Sequence, residues 1–331
     1  MAACAPANRR SAGMKRRPFY LAAPGDVVAI EAEAETILDQ LLPCSAKELL
    51  LGAGRQRPDL NVMVLYRACF RGANGVFVKQ IEAISSKHAP LGRPVRVIIA
   101  PGLNFRKHPE IGADGRLLAD IAARVGAKAE ILDVDPRGAA STNGATIAER
   151  LLRLNDEPAW LVSISKGTAD ARAAFTLIGH WPKGVSGWIN LSGVFQGTPV
   201  ADRITNSTLV RLASRMLLTI SGVAFDKIEE MRTDSPLWSL PVEPPTPERM
   251  VHVLGFPPAW SIEMRIAHHY RRLSEAFGPN DGLTPLVDCF DYPGRIFPVW
   301  GTDHFMRIPD LAALLYKLMQ FIGAVESESS D

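Results

Sequence analysis

One short stretch of this chain, residues 163–167, has residue types and spacing suited to nucleophilic chemistry. It reads Ser-Ile-Ser-Lys-Gly, with an apolar run before it at 159–162 and helix-forming residues after it at 168–175. A serine at a sharp turn between a strand and a helix projects its hydroxyl clear of the sheet, and small neighbours let the backbone bend. The pattern predicts that Ser165 is a nucleophile; the alternative is an ordinary turn serine.

A serine hydroxyl also needs a base, because it is a weak nucleophile until another group accepts its proton. Histidine does this near neutral pH, and a buried carboxylate can hold the imidazole in the required tautomer. His304 follows a strand-like run at 295–300, and Asp281 lies earlier in Asn-Asp-Gly-Leu at 280–283. The interval between them leaves room for one strand joining two loops on the same rim of a sheet. We therefore predict Ser165, Asp281 and His304 as a catalytic set.

Other residues compete for the base and the acid. Six histidines lie in strand or helix patterns, just after the helix that follows Ser165, or too early in the chain: His88, His108, His180, His252, His268 and His269. Asp281 competes with Asp288, Asp291 and Asp303, of which Asp303 adjoins the histidine and would usually point away from it. The plain alternative for residues 280–282 is a turn.

The elements that would carry these residues alternate between strands and helices from about residue 95. Strands are predicted at 95–100, 130–134, 159–162, 185–191, 250–254 and 296–300. Helices are predicted at 117–125, around 147–154, after residue 167 and at 311–319, with Asn143 as the N-cap of the second. This alternation predicts an α/β fold, with a mainly parallel sheet and helices on both faces.

With a serine, an aspartate and a histidine in this order, the chain resembles the α/β-hydrolase family, and in detail its bacterial lipase and esterase branch. The resemblance covers about residues 95–325. It departs from the branch at Pro101, where histidine is common, and at Ser163, where glycine is usual. It rests on Pro-Gly-Leu at 101–103, the turn at 163–167, Gly-Thr-Pro-Val-Ala-Asp at 197–202, Asn-Asp-Gly-Leu at 280–283, and Asp-His at 303–304.

The resemblance implies an oxyanion hole, in which two backbone N–H groups point at the oxygen that gains negative charge. Lys166 follows the nucleophile and would supply one N–H. Leu103 follows Gly102 and would supply the other, whereas Pro101 has no N–H to give. The alternative for residues 101–102 is an ordinary turn at the end of a strand. No residue is expected to hold a cofactor or a metal.

The resemblance further implies a serine hydrolase of the carboxylesterase or lipase type, which cleaves a carboxylic ester or thioester through an acyl-enzyme on Ser165. The expected partner is a small-molecule or lipid-like acyl substrate. Two alternatives stay open. One is a catalytically silent hydrolase-fold protein that binds or scaffolds a partner through residues 1–90. The other is an acyltransferase or cyclising thioesterase with the same site.

Three regions are predicted along the chain. Residues 1–90 form a basic tail and an N-terminal supporting subdomain, residues 91–325 the hydrolase domain, and residues 326–331 a disordered polar tail. The supporting subdomain has a helix near 28–42 and mixed segments at 61–69 and 75–84. The alternation breaks at about 195–249, with helical patterns at 209–218 and 225–231. The resemblance implies that this insertion is a helical cap; the alternative is a set of helices whose apolar faces pack on the body of the domain.

Composition limits the classes of function. The chain has 331 residues, of which 47% are hydrophobic and 22% charged, as in an ordinary globular enzyme. Its net charge of +2 indicates no nucleic-acid partner. Neither G-x-G-x-x-G nor G-x-x-x-x-G-K-[ST] occurs, which excludes the common phosphate-binding loops. Four scattered cysteines lack metal-ligand spacing and favour reduced thiols: Cys4, Cys44, Cys69 and Cys289.

The N-terminal sequence bears on location. Residues 1–17 carry five basic residues and no acidic one. The apolar stretch that follows ends at Pro24 and is shorter than the roughly 7–15 residues of a secretory signal. No segment approaches the roughly 20 apolar residues of a membrane span. We expect a cytoplasmic protein without stable membrane insertion; its oligomeric state is not predicted.

Overall fold

A computed structural model of the protein describes residues 27–41, 57–85, 89–103, 112–154, 158–206, 225–239, 242–290 and 292–328. Six strands in these ranges pair in parallel in the order β2-β1-β3-β4-β5-β6. They are β1 (Arg96–Ala100), β2 (Lys128–Ile131), β3 (Ala159–Ile164), β4 (Val185–Leu191), β5 (Met250–Phe256) and β6 (Arg295–Trp300).

Helices precede, connect and follow these strands. They are α1 (Val27–Leu41), α2 (Pro58–Ala68), α3 (Gly72–Ala83), α4 (Arg116–Arg124), α5 (Ala140–Leu152), α6 (Lys166–Ile178), α7 (Pro199–Asn206), α8 (Phe225–Glu229), α9 (Ala267–Ala276), α10 (Val287–Phe290) and α11 (Leu311–Glu328). The predicted α/β fold is confirmed, since a parallel sheet lies between two layers of helices. This is the α/β-hydrolase fold, with the strand–serine–helix turn at the carboxyl end of β3.

The core forms two apolar layers because successive side chains of a strand point to opposite faces. Ile98 and Leu161 face α2, α5 and α6 on one side of the sheet. Val97 and Val162 face α3, α4 and α11 on the other. Strands covered on both faces read as nearly continuous apolar runs, and β3 is such a strand.

The helices before β1 pack on the β6 side of the sheet. The predicted mixed segments at 61–69 and 75–84 lie largely in α2 and α3. From α3, the Asn74 amide donates to Ile296 O (2.9 Å) and accepts from Ile296 N (2.7 Å). This pair satisfies backbone groups of β6, the strand at the edge of the sheet. The division into regions at 1–90 and 91–325 remains a prediction.

The structure corrects one predicted helix start. Asn143 is not the N-cap of α5, which begins three residues earlier at Ala140. Its buried side chain donates instead to Asp135 O (3.0 Å) and to Asp170 Oδ2 (2.8 Å). Asn143 thus joins the loop after β2 to α6.

The predicted disordered tail from residue 326 is also corrected at its start. Glu326 belongs to α11, accepts a hydrogen bond from Trp160 Nε1 (3.0 Å) and forms an ion pair with Arg249. These contacts hold the end of α11 against the sheet. Residues 329–331, the basic tail at 1–17 and the predicted helix at 209–218 lie outside the described residues.

Candidate active site

Ser165 stands at the turn between β3 and α6 in a strained backbone conformation. Its φ of 51° and ψ of −118° are rare for a residue with a side chain. Ser165 N donates to Leu191 O (3.0 Å), and Val194 N donates to Ser165 O (3.1 Å). At Gly167 a Cβ would lie 2.3 Å from Ala100 O, so only glycine fits there. The fold therefore holds the serine in a conformation that it would not adopt by itself.

Ser165, His304 and Asp281 form a continuous chain of side-chain contacts. Ser165 Oγ lies 2.8 Å from His304 Nε2, and His304 Nδ1 lies 2.8 Å from Asp281 Oδ2. With its proton on Nδ1, a neutral His304 donates to the carboxylate and accepts from the serine hydroxyl. Both His304 and Asp281 are buried, whereas Ser165 is partly exposed. The arrangement suits removal of the serine proton by the imidazole.

The loop between α9 and α10 fixes the carboxylate of Asp281. Oδ1 accepts from Leu283 N (2.9 Å) and Thr284 N (2.7 Å), and Oδ2 accepts from Thr284 Oγ1 (2.9 Å) as well as from the imidazole. His304 N donates to Asp281 O (2.9 Å), which joins the two loops through their backbones. A buried carboxylate with this many donors is held in one orientation.

The two buried partners shift each other's pKa. Burial by itself would lower the pKa of His304, but the charge of Asp281 and the hydrogen bond to it outweigh burial and raise it above its usual value. Burial would raise the pKa of Asp281, but the imidazolium and the backbone donors Leu283 and Thr284 outweigh burial and lower it. The pair therefore favours a charged aspartate beside a histidine that readily takes up a proton.

The rival carboxylates have other surroundings. Asp303 accepts from Glu263 N (2.8 Å) through Oδ2 and from Phe305 N (3.0 Å) through Oδ1, so it fixes the backbone around the histidine loop. Burial raises the pKa of Asp303. Asp288 lies on α10, and Asp291 lies outside the described residues.

The rival histidines lie elsewhere in the fold. His252 is buried in β5, where it bonds Asn190 and Pro293 O, and burial lowers its pKa to about 4. His268 and His269 lie on α9 with their ring centroids 3.7 Å apart. His180 follows α6, and His88 and His108 lie outside the described residues.

The two backbone groups predicted for the oxyanion hole flank Ser165. Lys166 N belongs to the first turn of α6, where N–H groups lack intrahelical acceptors. Leu103 follows Gly102, whose N–H donates to Ala113 O (2.8 Å). A Cβ on Gly102 would lie 3.5 Å from Ser165 Cβ, so the loop after β1 passes directly beside the serine. Leu103 and Ser165 line the same cavity.

This cavity, which we call the Ser165 cavity, has a volume of about 230 Å³. Ser165 and His304 lie in its wall, together with Ser192 and Arg265. The rest of the wall is mainly apolar and includes Leu103, Ile164, Leu191, Leu283, Leu314 and Leu315. Such a site can bury the hydrocarbon part of a substrate beside the serine.

Backbone strain in the described part of the chain is concentrated at this cavity. Apart from glycines, three residues there have positive φ: Ser165 (51°), Ser192 (44°) and Met306 (50°). All three line the Ser165 cavity. Strained backbone of this kind is commonly held at functional sites by the surrounding structure.

A row of buried polar side chains lies beneath the serine turn. Ser163, Asn190 and His252 are neighbours across β3, β4 and β5. Trp188 Nε1 donates to Ser163 Oγ (2.8 Å), Ser163 Oγ lies 2.8 Å from Thr168 Oγ1, and Thr168 donates to Asn190 Oδ1 (2.9 Å). The indole N–H can only donate a hydrogen bond, and the hydroxyl hydrogen of Thr168 is already used in the bond to Asn190. Ser163 therefore accepts from Trp188 and donates to Thr168.

This row explains why serine stands at position 163. Glycine is usual here in the branch that the chain resembles, whereas in this structure the buried hydroxyl of Ser163 makes two hydrogen bonds. Sequence reasoning missed the partners Trp188, Thr168 and Asn190. The one local signal was a polar residue inside an apolar strand, as at Asn190 in β4 and His252 in β5.

The side chain of Lys166 has a structural role that the sequence did not reveal. Its ammonium forms an ion pair with Asp170 one turn further along α6, and both side chains are buried. Asn143 Nδ2 also donates to Asp170 Oδ2 (2.8 Å). Burial raises the pKa of Asp170 to about 6. The Lys166 side chain thus stabilises the helix behind the serine, while its backbone N–H stays at the turn.

The described residues bear on metal binding and on membrane insertion. They contain no group of three or more histidine, cysteine, aspartate or glutamate side chains that could hold a metal ion. Over the same residues no helix is long and apolar enough to cross a membrane. Cys69 and Cys289 are buried free thiols, and Cys4 and Cys44 lie outside the described ranges.

Comparison with known proteins gives similarity at the level of solved structures. No family model and no curated protein match the chain. A Bacillus licheniformis lipase in its mature form is 19% identical, over 73% of this chain and 99% of that one, with a TM-score of 0.48. A metagenomic carboxyl esterase is 19% identical, over 72% of this chain and 80% of that one, with a TM-score of 0.47. The NocB thioesterase domain is 17% identical, over 70% of this chain and 96% of that one, with a TM-score of 0.35. Its structure is a covalent complex with a fluorophosphonate nocardicin G analogue.

These similar structures are α/β-hydrolases that act as esterases, lipases or thioesterases. The assignment of the fold is based on the strand order and on the turn at Ser165.

Proposed function

We propose that this protein is a serine hydrolase that cleaves a carboxylic ester through an acyl-enzyme on Ser165. The observation that carries the proposal is the continuous chain from Ser165 Oγ to His304 to Asp281, with 2.8 Å at each step, beside a mainly apolar cavity. The strained turn at Ser165 adds support, because the fold maintains it at an energetic cost.

The first half of the proposed reaction transfers the acyl group. Ser165 Oγ attacks the carbonyl carbon while its proton passes to His304 Nε2, and the carbonyl π electrons move to the oxygen. The N–H groups of Leu103 and Lys166 stabilise the resulting oxyanion. His304 then gives its proton to the alcohol oxygen as the C–O bond breaks, which leaves the acyl group on Ser165.

The second half releases the acid. Water attacks the acyl carbon while His304 takes its proton, and the tetrahedral intermediate collapses as His304 returns that proton to Ser165 Oγ. Asp281 stabilises the imidazolium in both halves and stays charged. A thioester follows the same steps with a thiol as the leaving group.

The insertion at about 195–249 is proposed to cover the site as a cap. Two contacts support this role. Thr198 Oγ1 donates to Leu283 O (2.6 Å), in the loop that carries Asp281, and Thr198 N donates to Met231 O (2.8 Å) within the insertion. We also propose a cytoplasmic location, in keeping with the buried free thiols of Cys69 and Cys289.

A fluorophosphonate probe tests the proposed function, since it reacts with an activated serine. We expect labelling of the wild-type protein and of Ser163→Ala, and none of Ser165→Ala at equal folded concentration. Hydrolysis of p-nitrophenyl acyl esters should show the same ranking. A folded wild-type protein that neither labels nor hydrolyses esters would support the silent binding protein instead. Acyl transfer to an added alcohol in preference to water would identify an acyltransferase.

A further inference from the structure

Ser192 is one of the residues that line the Ser165 cavity, and its hydroxyl is buried. It is the residue directly after β4, and only 2% of it is exposed. Among the described residues its Oγ has no hydrogen-bond partner. Its backbone is engaged, because Ser192 N donates to Val253 O (2.9 Å). The hydroxyl, by contrast, makes no hydrogen bond to any residue that the structure describes.

Burying an unpaired hydroxyl at Ser192 destabilises the folded state, which indicates that the hydroxyl serves the function of the protein. A buried polar group without a partner loses its hydrogen bonds to water and gains none in the folded state, which destabilises the fold. The positive φ of Ser192 adds a further penalty for a residue with a side chain. Ser163 shows the contrast, since it is equally buried but both accepts from Trp188 and donates to Thr168. An alanine at 192 would serve the fold as well and would avoid the unpaired group.

The place of Ser192 shows which part of a substrate it can reach. Leu191, the preceding residue, accepts the hydrogen bond from Ser165 N through its carbonyl. Ser192 therefore adjoins the nucleophile on the β4 side, while Gly102 and Leu103 adjoin it on the β1 side. The surrounding wall is mainly apolar, so an oxygen on the substrate would find few other partners there.

We propose that the Ser192 hydroxyl binds an oxygen substituent on the acyl group, so that the preferred substrates are hydroxyacyl or oxoacyl esters rather than plain alkanoyl esters. This inference rests on the proposed esterase function. The acyl group is the relevant part because it stays on Ser165 through both halves of the reaction and must fit in the cavity. A site built to bond an oxygen discriminates strongly against the analogue that lacks it.

The kinetic test compares matched substrate pairs. p-Nitrophenyl esters with a hydroxyl at C2 or C3 of the acyl chain are each paired with the ester bearing a methyl group at the same carbon. Taking the ratio of kcat/KM for Ser192→Ala to that for wild type cancels the intrinsic reactivity of each ester. We expect a loss of about tenfold, or about 1.4 kcal/mol, for at least one hydroxyacyl ester and less than twofold for its methyl partner.

Two controls accompany this measurement. Ser186→Ala changes a serine at the other end of β4 and should leave every ratio near one. Thermal unfolding should show Ser192→Ala at least as stable as wild type, because the hydroxyl makes no hydrogen bond in the described part of the chain. Equal losses on both members of every pair, no loss on any pair, or clear destabilisation by Ser192→Ala would overturn the proposal.

A binding experiment separates failure of this inference from failure of the esterase proposal. Non-hydrolysable hydroxyacyl amides and their methyl partners are titrated into Ser165→Ala and into Ser165→Ala/Ser192→Ala. Selective loss of hydroxyacyl binding in the double variant supports the role of Ser192 whether or not wild type hydrolyses esters. If wild type hydrolyses esters but neither binding nor kinetics depends on Ser192, the esterase proposal stands and the specificity role fails.

Discussion

The indole N–H of Trp188 donates to the hydroxyl of Ser163, 2.8 Å away, at a point where both side chains are completely buried. Ser163 lies two residues before the proposed nucleophile, so this bond joins the serine turn to the neighbouring strand β4. The Ser163 hydroxyl in turn donates a hydrogen bond to the Thr168 hydroxyl, which donates one to Asn190 Oδ1. The turn therefore rests on a satisfied polar row rather than on apolar packing alone.

Ser163→Ala should destabilise the protein more than it harms catalysis. The substitution leaves the buried Trp188 N–H without an acceptor, which should lower the free energy of unfolding by about 1–3 kcal/mol. Turnover per folded molecule should stay close to wild type, because Ser163 does not touch the substrate. Urea unfolding and esterase assays measure the two effects. Ser163→Val should damage both.

A double-mutant cycle checks the cause of this destabilisation. Trp188→Phe removes the donor, so adding Ser163→Ala to it should cost less than Ser163→Ala alone. Additive losses would mean that the Trp188–Ser163 bond contributes little. An acyl adduct found on residue 163 in Ser165→Ala would overturn the structural role of Ser163.

Asp281→Asn should leave the fold intact and depress kcat by orders of magnitude, about 10⁴-fold in the best-studied triad. The amide cannot stabilise the imidazolium and favours the wrong tautomer of His304. Asp303→Asn is the matched control: its carboxylate bonds the backbone of Glu263 and Phe305, so its effect on kcat should be far smaller. The reverse ranking would transfer the role to Asp303.

The dependence of kcat/KM on pH should reflect the pKa of His304, which Asp281 raises. His304 must be neutral to accept the serine proton, so kcat/KM falls as the pH drops through its pKa. That pKa is raised by Asp281, which places the acid limb above the value of about 6.5 for a free histidine. In Asp281→Asn the raising charge is lost, and the midpoint of the residual activity should move to lower pH. An unchanged midpoint would contradict the assignment.

Sequence reasoning succeeded where the information is local or follows chain order. The turn at Ser165 could be predicted because strand, small residues and helix are contiguous, and most strands of the confirmed fold come from apolar runs. β2 is the exception, since it begins two residues before the predicted run at 130–134 and its sequence is Lys-Ala-Glu-Ile. The polar row is different, because it depends on the register that sets Ser163 beside Asn190 and Asn190 beside His252. The sequence could not show this register, nor the positive φ of Ser192, which the surrounding structure imposes.

The predicted start of helix α5 was wrong for a related reason. Asn143 has the residue type of an N-cap, and local propensity favours that position. In the structure its amide bonds the loop at Asp135 and the carboxylate of Asp170, and α5 begins earlier. A partner on another helix thus outweighed the local preference.

Lys166→Ala should separate the two roles of this residue. The side chain is the cationic partner of the buried Asp170 carboxylate, so its removal leaves a buried charge and should cost about 3–5 kcal/mol of stability. The backbone N–H at the turn is retained, so the molecules that remain folded should still react with a fluorophosphonate. Lys166→Met/Asp170→Leu removes both charges and should be less destabilised than Lys166→Ala, as measured by urea unfolding. Complete loss of labelling in folded Lys166→Ala would instead place the ammonium itself in the chemistry of the site.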